Sequence, residues 1–174
     1  MNSHQTDLLT GLNRKSLLEE MFLQLVKQRI SRFAIIFIDI DHFAYCNYHY
    51  GHLQGDEILK QIAETILQQI PPNVKAFRIG GDEFVILFNE SNSTEVISIA
   101  EKIRELTQKQ FSQIMLKRDY ISQTFESSLT VSCGIAFYPD NGDELDTLLA
   151  AADQAMYEKA KILGGNKVVL ASSI

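Results

Sequence analysis

The chain has 174 residues, 45% apolar and 22% charged; that is enough for one folded domain with its own core, and it excludes the disordered and disulfide-stapled classes. A net charge of −6 excludes a general nucleic-acid or membrane-surface binder, because both rest on a basic face. A phosphorylated ligand would here need a cation between itself and the protein. The cysteines, Cys46 and Cys133, lie far apart without metal-type spacing and read as buried thiols in a reducing compartment. No run reaches ~18 apolar residues and no signal-peptide pattern opens the chain. The expected location is the cytoplasm, either free or as the cytoplasmic portion of a larger, membrane-bound protein.

From Asn13 to Ile30, Leu17, Leu18, Met21, Phe22, Leu25 and Val26 recur at helical spacing. FAIIFI (Phe33 to Ile38) reads as a strand buried on both faces. A polar and aromatic stretch, DIDHFAYCNYHYGHLQGD, leads into a helix from about Leu53 to Ile70, stopped by Pro71-Pro72. Two apolar runs, Val74 to Ile79 and Phe84 to Phe88, flank Gly80, Gly81, Asp82 and Glu83 and spell a hairpin whose glycines are expected to accept positive φ. A helix carrying Val96, Ala100, Ile103 and Leu106 follows a capping residue within Ser91 to Thr94. Residues 110 to 127 suggest only a short strand and a loop. Leu129 to Tyr138 is a strand, PDNGD a turn, Glu144 to Leu163 a helix closed by Gly164-Gly165, and Lys167 to Leu170 a last strand.

This order contains βαββαβ, which predicts an α+β core of the ferredoxin-like and nucleotide-polymerising palm kind: a central antiparallel sheet with helices covering one face. The crossover places the first strand beside the hairpin, so Asp39 and Asp41 approach Asp82 and Glu83. Carboxylates from two adjacent strands form a hard-oxygen site suited to Mg²⁺. Palm-type nucleotidyl transfer uses two such ions, ~3.5–4 Å apart, to hold the attacking and leaving oxygens. Asp39 and Asp82 are the first candidate ligands, with Glu83 as a further ligand or proton acceptor. Taken singly, each acid has a plainer reading, Asp39 as a helix cap and the other two as solvated turn residues.

RIGGDEF (Arg78 to Phe84) resembles the name-giving motif of the GGDEF family, the diguanylate cyclases. The likeness continues in the family's order through DLLTGLNR, DIDHF with N, GH and GD, VSCGIAFYPDNG, and AADQAMY with AK, G and N. It covers about Asp7 to Leu170, so residues 1–174 are read as a single GGDEF domain. The resemblance implies condensation of two GTP into cyclic di-GMP and pyrophosphate across a homodimer, with Mg²⁺ or Mn²⁺. It assigns the metal to Asp39, the Ile40 carbonyl, Asp82 and Glu83, and catalysis to Asp82 and Glu83. It assigns the guanine to Asn47 and Asp56, with His52 lining the pocket, and the phosphates to Gly80, Gly81 and Lys161. A sensory or EAL phosphodiesterase domain is expected in a longer parent.

The sequence departs from the family pattern at several points. Ala44 stands where a phosphate-contacting lysine is usual, and losing such a cation costs on the order of 10²–10³ in rate if nothing replaces it. Tyr48 follows Asn47 in place of an aspartate, and Gly165 replaces an arginine. Lys161 comes one residue later after Tyr157 than the pattern has it, and LTGL runs directly into Asn13-Arg14. PPNV (Pro71 to Val74) stands where many members carry an RxxD product-inhibition site, so feedback at that site is not expected. These departures keep a second function in play: a GTP-binding regulatory domain with weak or no cyclase activity, controlling a neighbour.

Overall fold

The structure, a computed structural model, describes residues 5–89, 92–120 and 123–172. In chain order the elements are β1 (Asn13–Arg14), α1 (Lys15–Lys27), β2 (Phe33–Ile40), α2 (Phe43–Tyr50), α3 (His52–Gln69), β3 (Lys75–Arg78) and β4 (Glu83–Asn89). Then come α4 (Ser93–Gln110), β5 (Met115–Tyr120), β6 (Gln123–Ser128), β7 (Val131–Tyr138), α5 (Leu145–Lys159), a 3₁₀ turn (Lys161–Leu163) and β8 (Val168–Leu170).

Six strands form one sheet in the order β1-β3-β4-β2-β7-β8. The middle four are antiparallel neighbours, while β1 joins β3 and β8 joins β7 in parallel. The sheet is therefore mixed, with the expected βαββαβ order at its centre. Both faces are covered, where the sequence suggested helices on one. The strand periodicity explains this: Ala34, Ile36, Ile38 and Ile40 of β2 enter a core with α3 and α4, while Phe33, Ile35 and Phe37 enter a second core with α1 and α5. Each fully buried Ile or Phe on β2 contributes about 1.5–3 kcal/mol, so β2 is the best-anchored strand and a rigid base for whatever stands at its end.

Three stretches differ from the sequence expectation. Asn13 and Arg14 pair with Phe77 and Arg78 as β1 instead of opening the first helix. Residues 43–50 form a helix of their own. The 110–127 stretch holds a separate two-stranded sheet, β5-β6, in which residues 121 and 122 lie outside the described residues. Asn92 caps α4, its side chain accepting from the Thr94 N–H at 2.9 Å; Ser91 lies outside the described residues. The last helix stops at Lys159, so Lys161 stands on the short 3₁₀ turn beyond it.

Candidate active site

Asp39 is the seventh residue of β2, opposite Glu83 on β4 and Ser132 on β7. Directly opposed residues in an antiparallel pair point to the same face, so Asp39 and Glu83 rise together on the side covered by α5. The hairpin that delivers Glu83 is closed by the Ile79 N–H donating to the Glu83 carbonyl at 3.0 Å. Arg78 braces it: Nε and Nη2 donate to the Gly81 carbonyl at 3.1 and 2.7 Å, and Nη1 donates to Asp7 Oδ1 at 3.1 Å. Burial works to raise the Asp7 carboxyl, but hydrogen bonds from Thr10 and the Arg78 guanidinium hold it below the usual carboxylate range. Sequence reasoning assigned no role to Asp7 or Arg78.

The two glycines of the turn need a different explanation from the one their type suggested, since neither Gly80 nor Gly81 lies in the left-handed region. Gly80 lacks a side chain because the Glu83 carboxylate occupies the space a Cβ would take. Gly81 has nothing within 4 Å of that position.

Asp41, two residues beyond Asp39 and on the same side, is a buried carboxylate that sequence reasoning left without a role. It accepts from Thr130 Oγ1 at 2.7 Å, Ser132 Oγ at 2.8 Å and the Asn166 N–H at 2.9 Å. Its carboxyl fills the place of a Gly165 side chain, with an ideal Cβ only 2.6 Å from Asp41 Cγ, and Gly165 has φ +76°. No side chain fits there, arginine included, without displacing Asp41.

Lys161 lies on this cluster. Its Nζ donates to Asp39 Oδ1, reaches the Ile40 carbonyl at 3.4 Å and lies 3.3 Å from Asp41 Oδ1. Burial pushes the Asp39 carboxyl up to about 6, with Lys161 opposing and the charges of Asp82 and Asp41 adding to the rise. Burial also raises Glu83, reinforced by Asp82 and Asp153 and opposed by Lys15 and Lys161.

Asn47, on α2, packs over the backbone of α3 where Gly55 leaves room, and its Cγ lies 3.0 Å from an ideal Cβ there. Its buried Oδ1, turned onto Gly55, has no hydrogen-bond partner among the described residues, and Asp56, the next residue of α3, is half-buried. His52 is exposed at the first position of α3. Tyr48 is 84% exposed, while Tyr45 packs against the core. Ala44 is exposed in the first turn of α2.

The donors that point at one place for a cation are Asp39 Oδ1 and the Ile40 carbonyl, with Asp82 and Glu83 on the neighbouring wall. Among the described residues no three His, Cys, Asp or Glu side chains meet closely enough to hold an ion unaided. The fit is nonetheless good, because a positive charge, the Lys161 ammonium, already rests on oxygens of Asp39, Ile40 and Asp41. An all-oxygen set suits a hard divalent cation.

A model of the "Diguanylate cyclase, GGDEF domain" family matches residues 4–167. The uncharacterized protein YhcK of Bacillus subtilis is 37% identical over 166 residues, covering 93% of this chain and 44% of YhcK. MucR of Pseudomonas aeruginosa, a bifunctional diguanylate cyclase/cyclic di-GMP phosphodiesterase, is 36% identical over 92% of this chain and 22% of its own. The chain thus spans less than half the length of these relatives. The GGDEF domain of DgcB from Caulobacter crescentus, solved in complex with c-di-GMP, superposes with a TM-score of 0.81 at 28% identity, covering 99% of this chain and 96% of that one. A likeness that runs from the Asp7 turn through the carboxylate strand and the hairpin to the last strand leads to one conclusion: the chain belongs to the GGDEF family of diguanylate cyclase domains.

Proposed function

We propose that residues 1–174 act in the cytoplasm as a single GGDEF domain that condenses two GTP molecules into cyclic di-GMP, releasing pyrophosphate. Among the described residues no helix is long and apolar enough to cross a membrane. The observation that carries this reading is the placement of Asp39 and Glu83 directly opposite each other at the end of the β2-β4 ladder, with Asp82 adjoining.

Asp39, the Ile40 carbonyl, Asp82 and Glu83 would hold Mg²⁺ or Mn²⁺, which when bound neutralises the triphosphate and polarises the α-phosphorus. The protein's own contribution is orientation. Asp56 accepts from the guanine N1–H and exocyclic amine, and the Asn47 amide donates to the acceptors of the base. His52 borders the pocket. Gly80 and Gly81 let the turn approach the phosphates, and Lys161 supplies a cation to the triphosphate tail. Glu83, its carboxyl raised by burial, is suited to accept the proton of the attacking 3′-hydroxyl. Each domain holds one GTP and the hydroxyl of one nucleotide attacks the other, so a transient homodimer is required.

A second reading, a GTP-binding regulatory domain beside a sensory or EAL domain, draws on exposed Ala44 and on Gly165, where no side chain fits. Incubating the concentrated domain with GTP and Mg²⁺ and separating nucleotides by chromatography distinguishes them. Cyclic di-GMP that vanishes in Asp82→Ala supports the cyclase. GTP binding without product, even in an artificially dimerised form, supports the regulator.

A further inference from the structure

The contacts of Lys161 describe more than a lysine waiting for a phosphate. Its ammonium rests on Asp39 Oδ1, the Ile40 carbonyl and Asp41 Oδ1, two of which belong to residues read above as metal ligands. The side chain is only 23% exposed. We propose that Lys161 is the resting occupant of the cation position, so that a divalent ion and the Lys161 ammonium exclude one another, and that arrival of the triphosphate draws the lysine off. The inference rests on the reading of Asp39 and Ile40 as a cation site.

The segment that carries Lys161 is built to hold it there. α5 ends at Lys159, and the next residues turn through Ala160 into the 3₁₀ turn, so the lysine projects back toward the end of β2 instead of continuing along the helix. This break coincides with the one extra residue between Tyr157 and Lys161. The chain is then fastened at its far side: the Asn166 N–H donates to Asp41 Oδ2 at 2.9 Å, and Arg104 Nη1 of α4 donates to Asn166 Oδ1 at 3.0 Å. Arg104 is itself fixed by Glu101 at 2.7 Å. Gly165 permits this closure, since any side chain would strike the Asp41 carboxyl.

Asp41 thus plays two parts, anchoring the turn and sharing the ammonium with Asp39. The Lys161 ammonium sits on Asp39 Oδ1 and the Ile40 carbonyl, the same two oxygens a divalent ion would need, so divalent binding through them requires Lys161 to leave. In the nucleotide-free protein a lone divalent ion must displace a tethered cation and binds weakly. With GTP present, the triphosphate offers the ammonium a new anionic partner, and ion and nucleotide enter together.

The test is a calorimetric titration of Mn²⁺ into nucleotide-free protein. Lys161→Met, which keeps length and removes charge, is expected to bind Mn²⁺ at least about tenfold more tightly than the wild type. Lys161→Arg, which retains the charge should the methionine variant fold poorly, is expected to bind as weakly as the wild type. Adding guanosine 5′-[α,β-methylene]triphosphate, which chelates Mn²⁺ to the same extent in both proteins, is expected to tighten Mn²⁺ binding by a larger factor in the wild type than in Lys161→Met, and an equal factor in both overturns the inference. Equal Mn²⁺ affinity in wild type and Lys161→Met overturns the inference, as does a tight site in Lys161→Met that survives Asp39→Asn. Neither readout needs turnover, so absence of cyclase activity would sink the proposed function and leave this inference to be judged on its own.

Discussion

Glu83 folds its carboxylate back over Gly80, so that a methyl group at residue 80 and a Glu83 oxygen claim the same space. Gly80→Ala therefore displaces the acid from its place opposite Asp39 while leaving the hairpin hydrogen bond intact. Initial-rate measurements on this variant are expected to show cyclic di-GMP formation reduced about 10–100-fold, with little change in melting temperature. Gly81→Ala, which meets nothing within 4 Å, is expected to stay within about 2–3-fold. Equal losses in both variants would mean that the turn needs glycine for some reason other than the carboxylate.

The contact between Asn47 and Gly55 makes a matching prediction for nucleotide binding. Asp56→Ala removes the carboxylate proposed above to read the guanine edge and is expected to weaken GTP binding about 10–100-fold. Gly55→Ala, by pushing Asn47 out of its seat, is expected to move affinity in the same direction without touching the nucleotide. Equilibrium binding of a fluorescent GTP analogue checks both, and unchanged affinity in Asp56→Ala would remove this residue from the pocket.

Arg78 ties the hairpin to the N-terminal turn through Gly81 and Asp7, and its side chain is 14% exposed. Arg78→Ala is expected to cost about 1.5–3 kcal/mol in urea unfolding, because it leaves Asp7 without a charged partner. Arg78→Lys is expected to recover only part of this, since a single ammonium cannot reproduce the fork that serves both acceptors. A double-mutant cycle with Asp7→Asn should return a coupling energy clearly above zero; a value near zero would make the contact incidental.

How far the sequence showed all this depends on whether the cause is local. FAIIFI was legible because an uninterrupted apolar run of that length fits a strand with cores on both sides, as Phe33–Ile40 proves to be. The convergence of Asp39 with the hairpin followed from the crossover rule and is present in the register. The helix of residues 43–50 was not legible, because Tyr48, His49 and Tyr50 are exposed, Phe43 and Tyr45 are only partly buried and Cys46 alone is fully buried, which leaves no clean apolar stripe. β1 was missed because its two residues form a strand only by pairing with β3, more than sixty positions away. Asp41 was visible as a second acid at the strand end, but its anchoring role depends on Thr130, Ser132 and Asn166, which no local pattern links to it. Lys161 was misplaced onto a helix because the stop at Lys159 carries no Gly or Pro, and Gly164-Gly165 close the 3₁₀ turn beyond it.

The raised carboxyl of Asp39 has a consequence for the stability of the metal-free protein. Its pKa moves from the usual 3.8 to about 6, so the native state holds this proton more tightly than the unfolded chain. Folding then takes up a proton between about pH 4 and pH 6, and stability falls as pH rises through that window before levelling off. Relative to Asp39→Asn, the wild type is expected to lose up to about 3 kcal/mol across it. Urea unfolding of both proteins in a metal chelator at pH 4, 5, 6 and 7 checks the sign, and a wild type that gains on the variant as pH rises would contradict it.

The proposal that two copies of this domain join GTP across a shared interface is tested most directly by the rate of cyclic di-GMP formation per chain as a function of chain concentration, at saturating GTP and Mg²⁺. We expect specific activity to rise in proportion to concentration at low values and to approach a plateau as the domains pair. Adding Asp82→Ala chains in excess should suppress it by trapping wild-type chains in inactive pairs. A specific activity independent of concentration down to nanomolar protein, or GTP bound at every concentration with no cyclic di-GMP formed, would contradict the account.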